Sequence, residues 1–249
     1  MRANIRKNII FENEFRELLL ADLALTVAFS LVILGGAPGA MRNLVVLLYL
    51  IPITFISVSL TFITHELMHK FVAQRFGAIA AFKSSYNGLM ITLLSGFFGF
   101  LVGIPGATVI YTDNFTQKEE AYVSLAGPLT NFAIFLIFFI LGNVLYPRFL
   151  SQVTTTFSPA LILYNGYIQN AINLVLYTSI LLAFFNMLPI YPLDGSKVYR
   201  WNKLVYFATI GVIFLLFGTI LPMGAILAGM VFMLIFALIL SAVYRSVIF

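Results

Sequence analysis

The chain has 249 residues, of which 61% are hydrophobic and only 9% are charged, with a formal net charge of +5. Soluble domains average about 25% charged residues, so this composition excludes a soluble globular protein and indicates a membrane protein. The basic residues are scattered at the ends of apolar runs, which argues against nucleic-acid binding, and the absence of cysteine excludes disulfides and thiolate metal ligands.

Six apolar segments are long enough to cross a bilayer as helices, which takes about 20 residues. The predicted spans are about 18–35, 44–70, 120–146, 168–190, 198–220 and 223–244. The last two share one uncharged run, which Pro222 and Gly224 divide by a tight turn. We therefore expect an all-α polytopic membrane protein with about six transmembrane helices, forming a single membrane-embedded domain over 1–249. Its core is about 44–203, and the spans 18–35, 198–220 and 223–244 are expected to be peripheral.

The segment 84–112, between predicted spans two and three, is apolar, but its five glycines and one proline disfavour an uninterrupted helix. Lysine and arginine near the ends of spans favour the cytoplasmic side. If 84–112 does not cross the membrane, 12 of the 14 basic residues lie inside; if it crosses, only 8 do. We therefore predict a membrane-embedded re-entrant or β-hairpin segment, in a multi-pass protein of the cell membrane with both termini cytoplasmic.

The run "HELMH" at 65–69 contains both histidines of the chain and ends a stretch without charge from Leu44 to Thr64. On a helix, His65 and His69 lie four residues apart on one face and can bind one metal ion. Glu66 lies beside that face, where its carboxylate can take a proton from metal-activated water. Ionisable groups in a membrane helix are costly, which favours a functional site over an interfacial helix end whose side chains face headgroups.

Two imidazoles leave a catalytic zinc site incomplete, and without further histidine or cysteine the third ligand must be a carboxylate. Asp194 is the leading candidate, because it follows an uncharged run that begins after Arg148 and stands at a proline-broken helix end. The alternative for Asp194 is a turn charge at the membrane interface, and Asp22 is interpreted as a helix-start charge there. The other acidic residues are expected on the surface or in a solvated loop: Glu12, Glu14, Glu17, Asp113, Glu119 and Glu120.

Topology decides whether Asp194 can reach the histidines. If 84–112 does not cross the membrane, predicted spans two and four run in the same direction. Asp194 then arrives at the same membrane face as His65 and His69. If the segment crosses, Asp194 lies on the opposite face and cannot be a ligand. Charge counting and metal chemistry therefore require the same non-crossing segment.

Three motifs resemble those of the site-2 protease family of intramembrane metalloproteases: "HELMH" at 65–69, "AGPLTN" at 126–131 and "NMLPIYPLDG" at 186–195. They occur in the order and spacing of that family, and the resemblance covers about residues 61–203. One departure is Met68, where many members have a small residue. Because Met68 points away from the face of His65 and His69, we expect altered packing rather than loss of the metal. The chain resembles a compact member without PDZ or CBS domains.

The resemblance implies one Zn²⁺ ion bound by His65, His69 and Asp194, with Glu66 as the catalytic base. It also implies that Asn131 lies near the substrate together with Asn186, where a side-chain amide polarises the scissile carbonyl or holds extended backbone. The alternative for both asparagines is a hydrogen bond that joins membrane helices. The family carries membrane-associated β-structure between its first two motifs, near the segment 84–112.

The predicted function is that of a zinc-dependent intramembrane endopeptidase that cleaves transmembrane segments near the cytoplasmic face, as in regulated intramembrane proteolysis. Its expected partners are a transmembrane protein or peptide substrate and the lipid bilayer, with no nucleic acid. One rival is a catalytically silent relative that binds membrane proteins, although the intact Glu66 speaks against it. Another is a metal transporter, whose site should lie near the bilayer midplane rather than at a helix end. A prenyl-protein type of protease needs a later glutamate ligand, and none follows Glu120.

Overall fold

The computed structural model describes residues 13–112, 115–146 and 159–220, which form a mostly helical structure with one two-stranded sheet. The helices are, in chain order, α1 (Glu14–Ile33), α2 (Ala37–Arg42), α3 (Leu44–Val58), α4 (Thr64–Arg75), α5 (Tyr86–Phe97), α6 (Gln117–Leu145), α7 (Pro159–Asn186), α8 (Asp194–Trp201) and α9 (Lys203–Ile220). A π-helix, Ser59–Ile63, joins α3 to α4, and the strands are β1 (Ile79–Ser84) and β2 (Gly106–Tyr111).

Three of the described helical segments are long and apolar enough to cross a membrane: Leu44–Arg75, Gln117–Leu145 and Gly166–Asn186. They coincide with predicted spans two, three and four, and the helical class is confirmed. Helix α1 covers the first predicted span but carries several charged residues, Asp22 among them. The predicted span 223–244 lies outside the described residues, so the number of six spans stays a prediction.

The fifth predicted span, 198–220, is interrupted at Asn202, where α8 ends and α9 begins. The side-chain Oδ1 of Asn202 accepts the backbone N–H of Leu204 at 2.9 Å and of Val205 at 3.1 Å. This is the N-cap interaction that asparagine provides at the start of a helix. Hydropathy alone does not reveal this helix boundary, because the apolar run continues after Asn202.

Helix α6 packs against α4, α7 and α8, and α1 packs against α3, α5 and β1. The largest buried apolar cluster joins α6, α7, α8 and α9 and includes Phe135, Leu176 and Ile180. A second cluster, with Leu25 and Phe82, joins α1 to β1. Between membrane helices, van der Waals packing and hydrogen bonds supply the association energy that water exclusion supplies in soluble proteins. These contacts set α4, α6, α7 and α8 around one point.

The segment predicted as re-entrant or β-hairpin is part of an antiparallel hairpin, with Ile79 opposite Tyr111 and Ser84 opposite Gly106. Its connection contains α5, a helix of 12 residues, which is shorter than the roughly 20 residues that a span requires. Because Ser84 and Gly106 are paired, the chain leaves and returns at the same place. The depth of this hairpin in the membrane stays a prediction.

Candidate metal centre

His65 and His69 lie on one face of α4, one helical turn apart. Their Nε2 atoms are 3.0 Å apart and their rings are inclined at 84°. Both side chains are buried, since the two residues are 1% and 7% exposed. The π-helix directly before α4 is a feature that occurs frequently at functional sites. The long helical segment Leu44–Arg75 thus carries, in its C-terminal part, two imidazoles directed at the same point.

Asp194 is the first residue of α8 and directs its carboxylate at the two imidazoles. Its Oδ2 lies 3.1 Å from His69 Nε2 and 3.8 Å from His65 Nε2. The candidate ligand atoms of the three residues all lie within 4.8 Å of one another. Gly195 permits this approach, because a Cβ there would lie 2.1 Å from the carbonyl oxygen of Met187. The structure therefore brings the three predicted ligands together.

The spacing of these donors fits a tetrahedral zinc ion. Ligand atoms about 2.0–2.1 Å from zinc are about 3.4 Å apart in tetrahedral geometry, and the three observed separations are 3.0, 3.1 and 3.8 Å. Gly127 on α6 faces the same point, since a Cβ there would lie 2.5 Å from Nε2 of both His65 and His69. Glycine at position 127 therefore keeps open the space beside the donor atoms.

The second ring nitrogen of each histidine contacts α6. His69 Nδ1 lies 2.7 Å from the carbonyl oxygen of Val123 and donates its proton there, which leaves Nε2 with a lone pair for a metal. Asn131 Nδ2 lies 3.1 Å from His65 Nδ1, while Asn131 Oδ1 is buried without a partner within the described residues. Turning this amide over lets Oδ1 accept the Nδ1 proton of His65. Both imidazoles then present an unprotonated Nε2 to the metal.

The charge of Asp194 also suits a metal ligand. Burial raises the pKa of its carboxyl, but the neighbouring imidazoles of His69 and His65 and the charge of Lys197 lower it more strongly, so the pKa lies well below its ordinary value. Lys197 Nζ is 3.9 Å from Asp194 Oδ1. The carboxylate is therefore ionised, as metal binding requires.

Glu66, the predicted base, lies next to His65 on α4 and faces the strand β2. Its Oε2 accepts the backbone N–H of Thr108 at 3.0 Å and the hydroxyl of Thr108 at 2.8 Å. Glu66 is 9% exposed. The carboxylate is thus held beside the candidate ligands without belonging to them.

A cavity of about 120 Å³ connects Glu66, His69 and Asp194 with the hairpin, and residues 103–108 form one of its walls. Asn186 lines this cavity and donates its Nδ2 to the carbonyl oxygen of Leu182 at 3.0 Å. The cavity thus joins the candidate base and two candidate ligands to one of the two predicted substrate residues.

Asn131 occupies a different place from Asn186. It is fully buried and lies against the Nδ1 side of His65, away from the ring nitrogen that faces Asp194. Contact of either asparagine with a substrate stays a prediction.

The model of peptidase family M50 matches residues 53–205, which is more than half of the 249 residues and includes all three motifs. The chain belongs to peptidase family M50, the site-2 protease family. It is 36% identical over 196 residues to a "putative zinc metalloprotease" of Methanocaldococcus jannaschii, covering 78% of this chain and 87% of the relative. It is 32% identical over 167 residues to a "putative zinc metalloprotease" of Bacillus subtilis, covering 61% and 69%. No solved structure gives a significant match.

In this M50 family member, the expectation that Glu14 lies on the surface was wrong, whereas Glu17 is partly exposed. Glu14 is 8% exposed, with Oε2 bonded to Lys70 Nζ at 2.5 Å and Oε1 accepting the N–H of Phe82 at 3.0 Å. Glu17 accepts the N–H of Ser84 at 2.7 Å. Both carboxylates therefore occupy the outer edge of β1, a tertiary contact that a charged N-terminal segment does not indicate.

The interpretation of Asp22 as a helix-start charge was also wrong, because α1 begins at Glu14. Asp22 is fully buried within α1 and accepts the hydroxyl proton of Ser59, in the π-helix, at 2.6 Å. Two residues at the candidate site, Gly127 and Thr108, were not singled out from the sequence. Gly127 lies inside the "AGPLTN" motif, and that motif could have drawn attention to it. Nothing in the sequence around Thr108 distinguishes it from an ordinary strand residue.

Proposed function

We propose that this M50 family member is a zinc-dependent intramembrane endopeptidase that cleaves transmembrane segments of membrane proteins near the cytoplasmic face. The observation that carries the proposal is the convergence of His65, His69 and Asp194, with Glu66, His69 and Asp194 lining one cavity. This cavity lies at the ends of two helices long enough to cross a membrane, Leu44–Arg75 and Gly166–Asn186. That location supports chemistry on a substrate held in the bilayer.

His65, His69 and Asp194 would hold a single Zn²⁺ ion. Zinc at this place supplies Lewis acidity toward the scissile carbonyl and lowers the pKa of water to near neutrality. The carbonyl of Val123 and the amide of Asn131 orient the two imidazoles from behind. Such outer contacts fix the tautomer and the ring plane of a metal-binding histidine.

Glu66 is the proposed general base. Its carboxylate takes a proton from the attacking water and then donates that proton to the amine of the departing peptide. A positioned acid or base of this kind contributes about 100- to 10,000-fold to the rate. Water from the cytoplasmic side has only a short distance to cover to reach Glu66. At a rise of about 1.5 Å per residue, the neighbouring His65 lies only about 8 Å farther from that side along the helix than Lys70.

A helical substrate hides its amide groups and must unwind before cleavage, so we propose that it adds to the hairpin as an extended strand. The outer edge of β1 is not available to a substrate strand, because its N–H groups at Phe82 and Ser84 donate to glutamates of α1. The outer edge of β2 faces the cavity, which Gly106, Thr108 and Ile110 line. The N–H of Thr108 donates to Glu66, but the carbonyl of Thr108 and the N–H and carbonyl of Ile110 point to the same outer edge. This arrangement favours β2 as the edge that receives the substrate.

Replacing Ile110 by proline tests strand addition, because proline removes the backbone N–H at that position. The N–H of Ile110 points outward, as do those of Phe82 and Thr108, because ladder positions alternate in an antiparallel pair. The substitution therefore spares the bonds between β1 and β2. We expect Ile110→Pro to cut cleavage sharply and Ile110→Val to leave it near the parent level. Unchanged cleavage by Ile110→Pro would exclude strand addition at this edge.

We assign the two predicted substrate residues different roles. Asn186 lines the cavity, where its amide can polarise the scissile carbonyl or hold substrate backbone. The contact of Asn131 with His65 favours orientation of that ring over contact with the substrate. In the membrane we propose a multi-pass arrangement with both termini cytoplasmic, since this places most basic residues on the cytoplasmic side.

The proposal is tested by measuring zinc content and cleavage of a panel of single-span fusion proteins, for the purified parent and for Glu66→Gln. We expect the parent to contain one zinc per chain and to cleave at least one fusion. Glu66→Gln should retain zinc and lose cleavage, since the ligands are intact and only the base is removed. A Glu66→Gln protein that cleaves as fast as the parent contradicts the mechanism. A zinc-loaded parent that binds the fusions and cleaves none favours a catalytically silent binding protein.

A further inference from the structure

The carboxylate of Glu66 is held by a single residue of the hairpin. Thr108 approaches Glu66 Oε2 with two donors, its backbone N–H at 3.0 Å and its hydroxyl at 2.8 Å. Hydrogen bonds to a charged acceptor are roughly twice as strong as those between neutral groups. Both bonds end on the same oxygen, so the other oxygen, Oε1, has no bond to Thr108. The two oxygens of the proposed base are therefore not equivalent.

The position of Thr108 follows from the register of the hairpin. Thr108 is opposite Phe82, and the N–H of Phe82 points outward to Glu14. Residues directly opposite in an antiparallel pair either bond to each other or both point outward. The N–H of Thr108 therefore points away from β1, toward Glu66. A shift of one residue would turn this donor inward.

The hairpin is itself anchored on its other side. Glu14 joins β1 to α4, because it binds both the N–H of Phe82 and the side chain of Lys70, the residue after His69. Glu17 binds the N–H and hydroxyl of Ser84 at 2.7 and 3.3 Å. With β1 fixed to α1 and α4, the place of Thr108 relative to Glu66 is fixed as well.

We propose that Thr108 is a positioning residue for the general base, an inference that rests on the proposed protease function. By holding Oε2, Thr108 directs Oε1 toward the cavity, so that one defined oxygen receives the proton of the attacking water. It also keeps the Glu66 side chain from turning toward the imidazoles. Because Thr108 belongs to the strand edge that faces the cavity, the base and an added substrate strand are positioned by the same element.

The kinetic test compares Thr108→Val, which removes the hydroxyl and keeps the shape and the N–H, with Thr108→Ser, which restores the hydroxyl. The probe is whichever single-span fusion protein the parent cleaves fastest. Loss of one of two bonds to a base worth about 100- to 10,000-fold predicts that kcat falls about tenfold in Thr108→Val. We expect KM and zinc content to stay unchanged and Thr108→Ser to recover most of the rate. Thr108→Ala, which also lacks the hydroxyl, replaces Thr108→Val if the latter does not fold.

The matched control is Thr112→Val, the same substitution at an exposed residue just beyond β2, which should leave kcat unchanged. A kcat of Thr108→Val equal to that of the parent would overturn the proposal. So would a fall in kcat accompanied by loss of zinc, because that indicates damage to the metal site rather than to the base.

A second measurement does not need cleavage. The Tm is determined for the parent, Thr108→Val, Glu66→Ala and the double variant, since such a cycle isolates the interaction between two side chains. We expect Thr108→Val to lower Tm in the parent and to have much less effect when Glu66 is already alanine. Equal falls in both backgrounds would show that the hydroxyl of Thr108 bonds to the backbone carbonyl of Glu66, 3.1 Å away, and does not hold its carboxylate. If the parent cleaves no fusion, the proposed function fails. The Tm cycle still shows whether the side chains of Thr108 and Glu66 interact.

Discussion

The helical frame and the hairpin contribute different parts of the site. The candidate ligands lie on α4 and α8, and α6 supports them through Val123, Gly127 and Asn131. The proposed base also lies on α4, but its carboxylate is held by β2, through Thr108. Helices thus support the candidate ligands from behind, while a strand edge holds the proposed base from the open side of the cavity.

This difference means that metal binding and proton transfer should be separable by substitution. Changes on α6 and α8 should remove zinc, and activity with it. Changes on the hairpin should reduce activity and leave zinc in place, because no described hairpin residue belongs to the ligand group. The predictions below test this separation, beginning with the largest effect.

Asp194→Ala should lose both zinc and cleavage. It removes one of three candidate ligands and leaves the two imidazoles without the carboxylate 3.1 Å from His69 Nε2. We expect a larger loss of zinc affinity than the roughly 10- to 100-fold that follows loss of an outer contact to a ligand. Zinc content after dialysis measures it. Glu120→Ala is the control, because its exposed pair with Arg200 should contribute little. Normal zinc content in Asp194→Ala would exclude Asp194 as a ligand.

Gly127→Ala should also prevent zinc binding, although it replaces none of the candidate ligands. The added Cβ would lie 2.5 Å from Nε2 of both His65 and His69, which is closer than real contacts allow. The control is Gly211→Ala, where an added Cβ has no neighbour within 4 Å. We expect zinc binding to be lost only in Gly127→Ala. Zinc content equal to that of the parent would show that α6 does not border the metal.

Asn131→Leu should weaken zinc binding by about 10- to 100-fold, the usual effect of losing the partner of a metal-binding histidine. Asn131→Asp should retain affinity, because a carboxylate oxygen can accept the Nδ1 proton of His65. Asn143→Leu removes an exposed asparagine of the same helix and serves as the control. Competition with a zinc chelator gives the affinities. Equal weakening in Asn131→Asp would indicate that Asn131 acts through packing.

Glu17→Ala should have the smallest effect, on the hairpin alone. It leaves the N–H of Ser84 without its acceptor at the outer edge of β1. We expect faster hydrogen exchange at Ser84, unchanged zinc content and only a few-fold loss of cleavage. Arg16→Ala, at the exposed neighbouring position, should change none of these. Loss of zinc in Glu17→Ala would contradict the separation between hairpin and helical frame.

The pairing of the two histidines and the long helices could be predicted from the sequence, because both depend on local patterns. Hydropathy marks spans of membrane length, and i, i+4 spacing on a helix places His65 and His69 side by side. Asp194 needed one further step, the charge count that puts two distant helix ends on the same membrane face. The structure places the three residues together, as that step requires.

The contacts of the hairpin could not be predicted in the same way, because they join residues far apart in the chain. Thr108 meets Glu66 across 42 positions, and Glu17 meets Ser84 across 67. Such contacts depend on the register of β1 and β2 and on where α1 packs, neither of which leaves a periodic signal in the sequence. For the same reason, charged residues at the start of α1 were placed on the surface although they hold a strand edge.

Zinc K-edge X-ray absorption on the purified protein tests the central claim most directly. The account predicts one zinc per chain with two imidazole nitrogens and only oxygen as the remaining ligands, at about 2.0–2.2 Å. It also predicts that the imidazole scattering is halved or zinc is lost in His69→Ala. A purified protein without bound zinc, or zinc bound without imidazole, would contradict it.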